Sequence, residues 1–169
     1  RLAAAGAAAL GLLAGALAGA ASPARADAAL VGEIQASGLI FKDTINVQAI
    51  TDPKVSGVTI YQSDFAKSGF DKLKSGDFFS DPGASGLSCI GTPGKVMVAA
   101  NISKDKGGEV VYEESKALLG KTLKVKRVYD EKNKNVVYVV YTERLNKDED
   151  KNNSRFKSQV CAIHVDGVQ

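Results

Sequence analysis

The sequence predicts a mainly β, or β-rich α+β, domain with one apolar helix at its N-terminus. Segments rich in β-branched and aromatic residues recur along the chain, separated by Gly, Pro, Asn and Asp. Near the start, a run of 20 Ala, Gly and Leu residues extends from Leu2 to Ala21. We therefore expect residues 1–26 to be an apolar helical segment and residues 27–169 to fold as one domain.

The predicted antiparallel sheet centres on a hairpin at 122–142, from Thr122 to Thr142. The runs TLKVKRVYD and VVYVVYT flank the polar loop EKNKN, and this arrangement is typical of a β-hairpin. The second run is apolar from Val136 to Tyr141, so we expect a central strand that is buried on both faces. The residues expected in the core are Val137, Tyr138, Val139 and Val140.

Further short strands are predicted before and after this hairpin. Between Asp64 and Leu73 the pattern favours a short helix with Asp64 as its N-terminal cap. Gly and Pro residues from Ser75 to Gly94 indicate a loop. The main strand candidates are Leu30 to Ile34, Ile45 to Ile50, Val55 to Tyr61, Val96 to Ala99, Val110 to Tyr112 and Ser158 to Val165.

The charge balance gives no reason to expect a nucleic-acid partner. The chain has 22 basic and 19 acidic residues, and Arg1 and Arg25 belong to the N-terminal segment. The remaining domain therefore has 20 basic against 19 acidic residues, close to neutral. Phosphate binding needs a clearly basic surface, which this composition does not provide.

The N-terminal segment resembles an export signal. Arg1, the apolar run and Ala24-Arg25-Ala26 match the order of a charged start, an apolar region and a signal-peptidase site before Asp27. Because the chain has no initiator Met, we expect the second part of a bipartite presequence that leads to the thylakoid lumen. The alternative is a protein of the bacterial periplasm.

The same segment also fits a retained transmembrane helix. Twenty helical residues span about 30 Å, the thickness of a bilayer core. Gly11, Gly15 and Gly19 are spaced four apart, so they share one helix face that could pack against other transmembrane helices. Retention as an anchor and cleavage as a signal peptide both remain open at this point.

The two cysteines, Cys89 and Cys161, are 72 positions apart. An even count in an exported protein predicts one disulfide, and the alternative is two separate buried thiols. Cys161 and His164 are three apart and would face opposite sides of a strand, so we predict no metal site.

No catalytic constellation is evident in the sequence. There is a single His, and no serine lies in a G-x-S-x-G motif. Gly120-Lys121-Thr122 resembles the end of a phosphate-binding loop, but position 115 is Ser and a strand follows. We therefore expect a protein that is not an enzyme and that needs no cofactor.

Several motifs, in matching order, resemble those of the CreA family. They are Asp52-Pro53-x-Val55, Val58-Thr59-x-Tyr61, Ser88-Cys89, Arg127-Val128-Tyr129-Asp130 and the pair Tyr138 and Tyr141. The resemblance extends from about Val31 to Thr142. It implies a small exported protein of bacteria or photosynthetic eukaryotes, with no established catalytic activity and no active-site residues. Bacterial members carry a second Cys at the position of Ile60, so the resemblance does not itself imply a Cys89–Cys161 pair.

These observations lead to two functional hypotheses. The first is a non-enzymatic accessory subunit on the lumenal side of a thylakoid photosystem or antenna complex, anchored by its N-terminal helix. Its partners would be the transmembrane helices and lumenal surfaces of neighbouring subunits in that membrane protein complex. The alternative is a free lumenal or periplasmic binding protein of unknown ligand.

Overall fold

A computed structural model describes residues 26–38, 42–66, 86–116, 121–145, 148 and 153–169. The predicted N-terminal helix, with Gly11, Gly15 and Gly19, lies outside these residues. The described part is mainly β and contains one 3-10 helix of three or more residues, Ser154–Phe156. Its strands are β1 (Ala28–Gln35), β2 (Thr44–Ile50), β3 (Val55–Ser56), β4 (Val58–Ala66), β5 (Gly86–Gly91), β6 (Met97–Val98), β7 (Glu109–Ser115), β8 (Lys121–Asp130), β9 (Asn135–Arg144), β10 (Ser158–His164) and β11 (Gly167–Val168).

The strands form two antiparallel sheets of four strands each and one small sheet. The first large sheet has the order β1-β2-β4-β5, and the second has the order β10-β9-β8-β7. In the small sheet, β6 pairs antiparallel with β3 and parallel with β11. The β8–β9 hairpin occupies the centre of the second sheet, so the predicted antiparallel, hairpin-centred sheet is confirmed.

The hairpin register extends from Lys121 opposite Arg144 to Asp130 opposite Asn135. The Asp130 carboxylate closes the turn, because it accepts hydrogen bonds from the Asn133 backbone N at 3.2 Å and from Asn133 Nδ2 at 2.7 Å. Lys134 adopts a left-handed conformation with φ 53°. Asn and Asp side chains that bond to nearby backbone favour such turns.

The core lies on one face of β9 only. Val136, Tyr138 and Val140 are buried, whereas Val137 and Val139 are half-buried. The expectation that both faces are buried is therefore wrong. On the outer face, β8 places Lys126 opposite Val139, and a lysine stem covers an apolar neighbour only in part.

Side chains from the inner faces of both large sheets meet in one core. The small sheet contributes to the same cluster, so the described residues form one domain. The main members of the core are Ile50, Val55, Val58, Ile60, Val98, Val111, Leu123, Val125, Val136, Tyr138, Val140 and Val165.

The predicted helix does not begin at Asp64, because β4 continues through Asp64 to Ala66. Val58, Ile60, Gln62 and Asp64 alternate as buried positions, which is the period of a strand. The rest of the predicted helix lies outside the described residues. Within the described ranges, no helix has the length and apolar character that crossing a bilayer requires.

Candidate ligand-binding site

A buried ion network lies at one end of the core. Arg127, on the inner face of β8, forms ion pairs with Asp52, which follows β2, and with Glu109 at the start of β7. Asp52 and Arg127 are both buried. Lys54 Nζ adds a second ion pair to Glu109 at 2.8 Å. The four charges balance, as buried ions require.

The Asp52 carboxylate is the centre of this network. Its Oδ2 accepts a hydrogen bond from the Tyr138 hydroxyl at 2.9 Å, and its Oδ1 accepts one from the Lys54 backbone N at 2.8 Å. Burial raises the pKa of Tyr138, and the nearby Asp52 carboxylate raises it further. The hydroxyl is therefore a permanent donor at physiological pH. Asp52, with both oxygens engaged, holds β8 and β9 against the first sheet.

Arg127 and Glu109 are also fixed in their charged forms. Burial lowers the pKa of the Arg127 guanidinium, but the charges of Asp52 and Glu109 outweigh burial and raise it. Burial raises the pKa of Glu109, but its hydrogen bonds with Lys54 and Arg127 outweigh burial and lower it. Arg127 and Glu109 are therefore ionised across the physiological range.

Residues from three of the family-like motifs converge in this network. Asp52, Arg127 and Tyr138 come from motifs that are 75 and 86 positions apart along the chain. The motifs could be recognised in the sequence, but their contact could not be predicted from it, because no local sequence pattern marks pairing between distant segments.

A cavity of about 310 Å³ opens at the turn of the hairpin, beyond the position of Arg127 on β8. Tyr129 forms one wall, since it follows Arg127 on the inner side of β8 where the strand leaves the core. Glu131 and Lys134 of the turn line a second side, and Val165 to Val168 line the third. The volume falls at the lower end of the range of small-molecule sites.

The cavity combines an aromatic ring, apolar surface and charges of both signs. Glu131 and Asp166 supply carboxylates, and Lys134 supplies an ammonium group, all at an exposed rim. Two hydrogen bonds hold the rim in place. In the first, Val165 N donates to the Lys134 carbonyl at 2.8 Å. The Asp166 carboxylate accepts a hydrogen bond from Val96 N at 2.7 Å. Such a site can bind a small molecule that has an apolar body and polar ends.

A second polar region lies at the opposite end of the core. Asp64 pairs with Lys116 at 2.7 Å, and Lys116 also pairs with Glu114 at 2.7 Å. Burial raises the pKa of Asp64, although Lys116 opposes this effect. Gln62 Oε1 and Thr142 Oγ1 are buried without a hydrogen-bond partner in the described part of the chain. Buried oxygens of this kind ordinarily bind ordered water.

The structure joins Cys89 of β5 to Cys161 of β10 by a disulfide, with Cα atoms 5.7 Å apart. The bond links the outer strands of the two large sheets. Ile60 lies directly opposite Cys89 in the β4–β5 register and is buried in the core. His164 is exposed beside Asn135, and no group of three possible metal ligands occurs among the described residues.

The fold and the site define a small, disulfide-bonded β-domain with a buried ion network and a mixed-charge cavity. The family model described as CreA protein matches residues 31–167, so the chain belongs to the CreA family. The chain is 34% identical over 102 residues to Protein CreA of Escherichia coli strain K12, which is 60% of this chain and 63% of the relative. Two other Escherichia coli strains have relatives with the same identity and coverage. The match thus spans less than two thirds of these relatives. No solved structure matches the chain.

These relatives correct the first functional hypothesis. Because they are bacterial CreA proteins, the assignment to a thylakoid photosystem or antenna complex is wrong. The alternative hypothesis, a periplasmic binding protein, agrees better with them. The boundary between residues 1–26 and 27–169 stays a prediction, as does helix packing through Gly11, Gly15 and Gly19.

Proposed function

We propose that this member of the CreA family is a non-enzymatic binding protein of the bacterial periplasm, which binds a small molecule in the cavity beside Tyr129. The observation that carries the proposal is the cavity itself, which combines an aromatic wall with charges of both signs. The Arg127 network fixes the strand that bears Tyr129, so the site is largely pre-formed. Pre-formed, mostly apolar concavities with a few polar groups are typical of ligand sites.

Three further observations support the periplasm. The segment 1–26 has the order of an export signal, and the Escherichia coli relatives are bacterial proteins. The Cys89–Cys161 disulfide agrees with an oxidising compartment, since disulfides are rare in the bacterial cytosol.

The buried network supports a binding role over a catalytic one. A carboxylate that acts as a base or a nucleophile needs a free oxygen directed at its substrate. Asp52 instead has both oxygens engaged, by Arg127, Lys54 and Tyr138. The motif residues therefore stabilise the scaffold next to the cavity.

Thermal unfolding with a panel of small amines, carboxylates, zwitterions and sugars tests the proposal. We expect at least one compound to raise the Tm of the wild-type protein and of Tyr141→Ala, but not of Tyr129→Ala. Tyr141 is a matched control because it is an aromatic residue of the same hairpin on its outer face, where its hydroxyl donates to Glu143 at 3.2 Å. A stabilising compound that acts equally on Tyr129→Ala would show that the cavity is not the site.

A further inference from the structure

Strand β1 is exposed at every residue except Gly32, which is half-buried. It forms the edge of the first large sheet and pairs with β2, and no strand pairs with its other edge in the described ranges. Its apolar side chains are unusually accessible: Leu30 and Val31 are each 59% exposed, and Ile34 is 54% exposed. A free edge presents unpaired N–H and C=O groups, so an apolar one is a site for pairing with another strand.

The other outer strands have more protection against pairing than β1 has. Strand β5 lies against β10 and is joined to it by the disulfide, and β7 carries Glu109, Glu113 and Glu114. β1 contains no Lys, Arg or Pro, and Glu33 is its one charged residue, so it has less of the charge that usually prevents edge pairing. One bulge, at Val31, interrupts its register with β2 and adds local twist, which is the one structural feature of β1 that opposes edge pairing.

We propose that β1 pairs antiparallel with β1 of a second copy, which makes the protein a two-fold symmetric dimer with one sheet continuous across both copies. This proposal goes beyond ligand binding and is independent of the cavity. A two-fold axis brings the same surface of both copies together, so the strand must be compatible with itself.

The charges around β1 meet this requirement. Pairing centred on Val31 brings Asp27 opposite Gln35 of the second copy. Lys42 Nζ donates to Gln35 Oε1 at 3.0 Å, so Asp27 and Lys42 of opposite copies lie close, twice by symmetry. In this register Glu33, the one charged residue of the strand, lies opposite Ala29 of the second copy and not opposite that copy's Glu33. The near-neutral domain adds little long-range repulsion.

Analytical ultracentrifugation of the purified protein, over a range of micromolar concentrations, tests the dimer. We expect Val31→Lys to weaken dimerisation roughly 30-fold or more, the effect of losing an interface hot spot. Val160→Lys should leave it unchanged. Val160 is a matched control because it is 63% exposed and lies on β10, the outer strand of the other sheet. Circular dichroism of both variants shows whether the fold is kept.

A charge exchange tests the pairing itself. Asp27→Lys and Lys42→Asp should each weaken the dimer, and the two changes together should restore it. A wild-type protein that stays monomeric at 100 μM, roughly the upper range for weak specific association, would overturn the proposal. A dimer that Val160→Lys dissociates and Val31→Lys does not, or a double exchange that restores nothing, would overturn it as well.

Discussion

Asp52 is the residue on which the buried ion network depends. Asp52→Asn keeps the shape of the side chain but leaves the buried Arg127 guanidinium without its main counter-ion. Removing one partner of a buried pair typically costs about 3–5 kcal/mol, so we expect a loss of this size in the free energy of unfolding. Urea denaturation followed by circular dichroism measures it.

Tyr138→Phe is the matched control for this substitution. It removes only the hydroxyl that donates to Asp52 Oδ2, so we expect a cost of about 1–2 kcal/mol. If Tyr138→Phe destabilised the protein more than Asp52→Asn, the charge of Asp52 would not be what holds the network together.

The contacts among the cavity residues could not be predicted from the sequence. Tyr129 belongs to a motif that the sequence singles out, but Lys134 and Asp166 carry no pattern that marks them as neighbours of its ring. They meet because the backbone of Val165 bonds to that of Lys134. The turn and the C-terminal segment each have a local signal, in their Asn, Asp and Gly residues, but their contact does not.

Strand β9 allows the two faces of one element to be compared. Val140 is fully buried, whereas its neighbour Val139 is half-buried on the outer face. We expect Val140→Ala to lower the free energy of unfolding by about 1–3 kcal/mol and Val139→Ala to lower it clearly less. The loss depends on how much buried apolar area is removed and on the size of the cavity that remains. Urea midpoints of the two variants provide the test, and equal midpoints would show that the outer face is packed as well.

Elements whose residues favour one type of secondary structure throughout were predictable from the sequence. Elements whose residues fit both a helix and a strand were not. The hairpin was predictable because long β-rich runs flank a polar turn. The end of β4 was not, because the sequence from Asp64 onwards fits a capped helix as well as a strand. The strand continues because the inward positions Gln62 and Asp64 face a polar interior, where Lys116 from β7's end pairs with Asp64.

The disulfide connects the two large sheets. Alkylation of the unfolded, unreduced protein should label neither Cys89 nor Cys161, whereas prior reduction should expose both to the reagent. Reduction should also lower the free energy of unfolding by about 4 kcal/mol, the value for a loop of this length in the chain-entropy model. Two labelled cysteines without reduction would contradict the disulfide.

The family and the mainly β fold could be predicted from the sequence, but the source could not. A charged start, an apolar run and A-x-A direct export in thylakoids and in bacteria alike, because both systems read the same physical features. The hypothesis of a thylakoid subunit rested on this shared signal together with the missing initiator Met, and the bacterial relatives overturn it. The composition of an export signal therefore does not distinguish the thylakoid membrane from the bacterial inner membrane.

The position of the disulfide also has a consequence for the order of events during biogenesis. On the proposed route, a newly made chain in the reducing cytosol lacks the bond between β5 and β10, so packing, hydrogen bonds and ion pairs alone hold its sheets together. The precursor is then easier to unravel and to thread through an export channel than the finished protein. After export, oxidation forms the disulfide and stabilises the folded domain. The oxidised protein then resists the unfolding that transport back through the channel would require.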